Sequence, residues 1–120
     1  MIVREADTAV ALRSGDVPVL GTPRLLALAE EATVAALAGR RAPGETTVGT
    51  AVTIQHRRAS PAGSHMSATA ELTGVDGRRL TFSFTVHHEV PCHQQSVATG
   101  AIERVVVSRK AFLASLPPQS

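Results

Sequence analysis

The sequence predicts an α+β fold, a strongly curved antiparallel β-sheet wrapped around one long central helix. Three observations carry this prediction. Residues 22–39 (TPRLLALAEEATVAALAG) read as a single alanine-rich helix, whose small side chains let other elements approach closely. Four stretches of strand-like pattern then succeed one another between residues 46 and 107, broken only by short connections. A helix with a broad apolar face, followed by strands that pair in succession, buries most surface when the sheet curls round it. Such a sheet leaves open edges and an apolar remainder, so a dimer is expected.

Residues 1–12 (MIVREADTAVAL) alternate loosely and read as a first strand, and residues 13–21 (RSGDVPVLG) as a loop held open by Gly15, Pro18 and Gly21. Thr22 is the expected N-cap of the long helix, with Pro23 at the first helical position and Gly39 as its stop. After a turn at 42–45, residues 46–56 (TTVGTAVTIQH) open the sheet. Strict alternation puts Val48, Thr50, Val52, Ile54 and His56 on one face, and Gly49, Ala51, Thr53 and Gln55 on the other. A turn at 59–63 leads into a strand over 64–75, and Asp76–Gly77 is a strong hairpin signal. Residues 80–88 (LTFSFTVHH) alternate cleanly, with Leu80, Phe82, Phe84 and Val86 on one face. Residues 89–95 (EVPCHQQ) read as a longer connection centred on Pro91. Residues 97–107 are the last strand, and 108–116 a short helix ended by Pro117 and Pro118.

The 120 residues suit one domain, residues 1–120, with an aliphatic core, since the chain has no Trp, no Tyr and three Phe. The single Cys92 excludes an internal disulfide and fits a reducing compartment. No apolar run approaches the roughly 20 residues of a membrane span, and no leader pattern opens the chain. A soluble, cytoplasmic protein with no membrane partner is therefore expected. The formal charge is +2, and eleven of the twelve cations are arginines, paired at 40–41, 57–58 and 78–79. Aromatic stacking residues and nucleic-acid motifs are missing, so nucleic acid is not an expected partner; scattered arginines suit a small phosphorylated ligand better.

One residue in the long helix breaks the pattern. Leu26, Glu30, Thr33 and Leu37 are spaced by four, three and four, so Glu30 points where apolar residues point. Such an acid is either at the rim of the helix face, partly solvated or neutralised by an arginine, or it is a carboxylate held in a cleft as base or nucleophile. Thr22, two turns earlier and about 12 Å away along the axis, is a cap or a hydroxyl for the same site. His56 ends its strand either as a structural residue or as the proton partner of Glu30. Gly49 marks either a bulge or a close approach of the backbone to a chain or ligand. His87, His88, Cys92 and His93 lack the spacing of a metal site, because neighbours in an extended chain face opposite ways; no metal and no cofactor are expected.

The run GTPRLLALAEEAT, then PGETTVGTAVTIQH, TAELTGVDGRRLTF and GAIERVVV, resembles the hot-dog-fold acyl-CoA thioesterases, in the branch typified by the fluoroacetyl-CoA thioesterase. The resemblance implies a dimer with sites at its interface. It also implies a catalytic set at Thr22, Glu30 and His56, with Gly49 touching substrate and Arg104 matching the arginine of the family's last strand. Two departures stand out. Ile102 replaces the family's histidine in that strand, and the connection before it, around residues 91–96, is longer. The loop 13–20 also lacks the phenylalanines of the fluoroacetate-selective lid, so the resemblance gives the reaction class and not fluoroacetyl specificity.

The function so implied is hydrolysis of a small or medium acyl-CoA, or other acyl, thioester to free acid and thiol. Backbone N–H groups at the helix start would hold the carbonyl. Glu30 would activate water or attack, His56 would polarise or transfer a proton, and Thr22 would orient the pair. Arg104, with Arg57 or Arg58, would meet CoA phosphates or shape the pocket. Two alternatives keep the fold: a non-catalytic acyl-CoA-binding dimer, and a dehydratase or cyclase acting on a carrier-bound acyl chain. The acyl group, the carrier, and whether the homodimer pairs into a tetramer are left open.

Overall fold

The computed structural model describes residues 1–118. A 3-10 turn (Glu5–Asp7) and a short helix α1 (Ala9–Leu12) precede the long helix α2 (Thr22–Ala36). Four strands follow, β1 (Glu45–His56), β2 (His65–Asp76), β3 (Arg79–Val90) and β4 (His93–Ser108), and then helix α3 (Arg109–Ala114). The strands form one sheet in the order β1-β4-β3-β2, every pair antiparallel. Helix α2 packs across β2 and β3. Among the described residues no helix is long and apolar enough to cross a membrane.

The core lies between that helix and one face of the sheet. Leu25, Ala29 and Thr33, spaced by four, are completely buried, and Leu25 and Ala29 meet Phe84, Val86, Ala98 and Ile102 from the sheet. Leu80, Phe82, Phe84 and Val86 face inward together, as their alternation requires. At Gly100 an added Cβ would strike the Thr53 carbonyl oxygen and come within 2.8 Å of the Phe84 ring, so only glycine lets β1 and β3 close over β4 there.

Three one-residue bulges curve the sheet: Thr50 in β1, Thr73 in β2 and Val97 in β4 each lack an opposite partner. The bulge at Thr50 changes the face assignment of β1. Strict alternation separates Gly49 from His56, but the extra residue shifts the phase between them. Gly49 pairs with Arg104, and His56 with Ala98. Both partners are buried beneath the helix side of the sheet, so Gly49, Ile54 and His56 share one face.

Other expectations are corrected. Residues 1–12 form no strand: Ile2 and Thr8 make isolated bridges to His65 and Leu20, and between them the chain coils through the 3-10 turn towards α1. Local capping decides this. Asp7 accepts a hydrogen bond from the Arg4 N–H (2.9 Å), and the Thr8 hydroxyl caps α1 by accepting from the Ala11 N–H. The N-cap of α2 is Gly21, which places Thr22 at the first helical position with its hydroxyl free of capping. The helix ends at Ala36, with Leu37 as C-cap. The expected connection at 89–95 is a hairpin whose turn is Pro91–Cys92, because Pro91 fixes its own φ and Cys92 takes φ +74. Glu89 reinforces the strands flanking it by accepting from Ser67 and Gln94, and the Ser67 hydroxyl is the main cause of its lowered pKa.

Candidate active site

Each of the five candidate residues lies on the side of the sheet that carries α2, but the chain gathers them into two groups. The first is a pair. Relieved of capping, the Thr22 hydroxyl lies 2.8 Å from Nδ1 of His56 and hydrogen-bonds to it. The start of α2 is thus joined to the end of β1. Nε2 of His56 is buried and has no hydrogen-bond partner within the described residues. Burial lowers the pKa of this imidazole, with the nearby Arg58 backbone pulling the other way, so the ring is neutral at pH 7.

The second group is Glu30, Gly49 and Arg104. Arg104 is buried, although it reaches in from a strand of the core sheet. Thr47 explains how it is tolerated: its hydroxyl accepts from Nε (2.9 Å) and its carbonyl from Nη2 (3.1 Å). Nη1 is left facing Oε2 of Glu30 at 3.7 Å, a loose ion pair. Burial lowers the guanidinium pKa and Glu30 opposes that shift. Gly49 completes the group, since a Cβ there would stand 3.1 Å from Glu30 Oε2 and 3.5 Å from Arg104 Nη1. The glycine both flanks a bulge and leaves room for a carboxylate, so both readings of it hold.

Glu30 itself sits at the rim of the helix face, with its side chain 39% exposed. It opens onto a groove of about 520 Å³ lined by Ala27, Glu31, Val34, Ala35 and Arg104. The two groups stand two helical turns apart on α2, about 12 Å along its axis. One chain therefore does not bring Glu30 to His56. Thr47 and the groove residues Ala27, Val34 and Ala35 escaped the sequence reading. Thr47 carried a signal, because it lies two residues before Gly49 and so on the same face. Ile102 is completely buried in the core. His87 and His88 fall on opposite faces, and no three metal-ligating side chains converge among the described residues.

The sequence profile of the fluoroacetyl-CoA-specific thioesterases matches residues 3–110. The fluoroacetyl-CoA thioesterase of Streptantibioticus cattleyicolor is 36% identical over 98 residues, which are 82% of this chain and 68% of that protein. The chain belongs to the fluoroacetyl-CoA-specific thioesterase family. A solved structure of the family's thioesterase FlK superposes with a TM-score of 0.86 at 31% identity, covering 98% of this chain and 91% of that one. A variant of FlK solved with fluoroacetate and CoA gives 0.83 at 31%, covering 93% and 91%. A Thermus thermophilus thioesterase superfamily member reaches 0.86 at 20% identity, covering 95% and 82%, a likeness of fold. The family's hot-dog architecture is the curved sheet and helix described above.

Proposed function

We propose that this protein hydrolyses small or medium acyl-CoA thioesters, and that its site is built by two copies of the chain. The observation that carries the second half is the unpaired edge of β1. This strand is twelve residues long, has no proline or lysine, and exposes Gly49, Thr50, Ala51, Val52 and Thr53. Among the described residues nothing pairs with its outer edge. An edge of that kind is a template for a second strand.

A twofold partner brings its own β1 alongside, antiparallel. The register that sets Thr53 against the partner's Thr53 leaves the bulged Thr50 unpaired and sets Gly49 against the partner's His56. Because of the Thr50 bulge, Gly49 and His56 face the same side, so Glu30 and Arg104 of one chain would meet the partner's Thr22–His56 pair. The unpartnered Nε2 of His56 then has somewhere to point. The radius of gyration supports this arrangement: 16.2 Å, against about 14 Å for a compact chain of this length.

In such a site Glu30 activates water or attacks the thioester carbonyl, with Arg104 holding the carboxylate in place. Where Glu30 acts on water, the neutral imidazole of the partner's His56 takes up the proton Glu30 has removed and delivers it to the departing thiolate, ending neutral again. Thr22 fixes the ring through Nδ1. The groove beside Glu30 has small apolar walls, Ala27, Val34 and Ala35, suited to a short aliphatic acyl group. The lone exposed Cys92 fits work in the reducing cytoplasm. Thiol release from straight-chain acyl-CoAs of increasing length, followed with a chromogenic disulfide, tests the activity. Turnover should peak within the short-to-medium range, and absence of thiol release across the panel would overturn the reading.

A further inference from the structure

The three arginine doublets meet different fates. Arg78 and Arg79 are paired with Glu45 (3.6 Å) and Glu103 (3.0 Å). Arg40 and Arg41 follow the far end of α2, where Arg41 hydrogen-bonds to Thr46. Arg57 and Arg58 directly follow His56, are exposed, and take part in no ion pair among the described residues.

Their placement is also fixed. The bulged Val97 offers one carbonyl to two donors, the N–H groups of Arg57 (2.8 Å) and Arg58 (3.3 Å), which anchors the chain as it leaves β1. The Arg57 guanidinium donates to the Thr99 hydroxyl at 3.0 Å. Together with Val19, His56 and Ala59, the two arginines line a cleft of about 170 Å³. Two uncompensated cations thus flank the imidazole within two residue steps, up to about 7 Å of chain. A further side-chain length lets each guanidinium group reach a part of the substrate that lies beyond the imidazole.

We propose that Arg57 and Arg58 are the phosphate-binding end of the site and select a CoA carrier by its nucleotide phosphates. This rests on the acyl-CoA thioesterase reading above and assigns the residues that hold the phosphate end of that substrate. Planar guanidinium groups suit bidentate phosphate contacts, and a truncated thioester offers them nothing. The test compares butanoyl-CoA with S-butanoyl-N-acetylcysteamine, which has the same acyl group and no phosphate. In the Arg57→Gln/Arg58→Gln variant the preference for the CoA substrate, as a ratio of kcat/KM values, should fall at least about tenfold through KM. An unchanged ratio would overturn the proposal, as would a preference for CoA that is absent in the parent protein. Calorimetric titration with free CoA runs beside it and needs no turnover. The doublet variant should bind at least about tenfold more weakly, and equal binding, or none to the parent, would overturn the assignment. Hydrolysis of neither thioester with intact CoA binding would count against the thioesterase reading alone.

Discussion

At the residue scale, the proposed site depends on a missing side chain where a charged one must fit. Gly49 has an ordinary negative φ, so alanine is sterically permitted by the backbone; what it lacks is room beside Glu30 and Arg104. Gly49→Ala should therefore leave stability within about 1 kcal/mol, by chemical denaturation, while lowering kcat at least about tenfold by displacing the carboxylate. Loss of stability together with activity would make the glycine merely structural. Glu30→Gln keeps the shape and removes the carboxylate proposed as base or nucleophile, and should cost about 100-fold or more in kcat/KM.

His56 adds a pH signature. Burial disfavours its imidazolium, so the unfolded chain takes up that proton more readily than the folded one. The stability attached to neutral His56 is present above its ordinary pKa of 6.5 and declines as pH falls below it. The acid limb of kcat/KM should likewise lie below pH 6.5, as read from a full pH–rate profile. A limb centred above that value would contradict the proposed role of neutral His56.

At the element scale, much of the fold was legible because periodicity reports burial. The inward row Leu80, Phe82, Phe84 and Val86 and the long helix follow from it directly. What escaped is where a local hydrogen bond or one extra residue overrides the period. Capping by Asp7 and Thr8 coils residues that alternate like a strand. Gly21 takes the cap expected of Thr22, which frees that hydroxyl for His56. The Thr50 bulge puts Gly49 and His56 on one face; Gly49 marked the place, but alternation alone does not choose between a bulge and a close approach there. The candidate residues could be picked from their chemistry and the resemblance, but their division into two groups could not. Gly100→Ala tests the curvature: with backbone and an aromatic ring both in the way, it should destabilise the chain by about 2 kcal/mol or more in urea unfolding.

At the scale of the whole molecule, the chain looks like half of something. Its radius of gyration exceeds that of a compact globule, β1 is bare along one edge, and Glu30 is two helical turns from the Thr22–His56 pair. One arrangement answers all three, the twofold pairing of β1 with its copy. A like charge near the axis should break it. Val52→Asp is expected to give monomers by light scattering, with kcat/KM reduced about 100-fold and the helix and sheet content retained.

The most direct measurement mixes two inactive proteins. Glu30→Gln and His56→Ala, co-refolded in equal amounts, form mixed dimers in which one interface unites the intact Glu30 with the intact His56. Activity should return to roughly a quarter of the parent level, since half the dimers are mixed and each carries one complete site. If mixing restores nothing while mixed dimers are shown to form, Glu30 and His56 do not act together across the β1 edge, and the shared site proposed here is wrong.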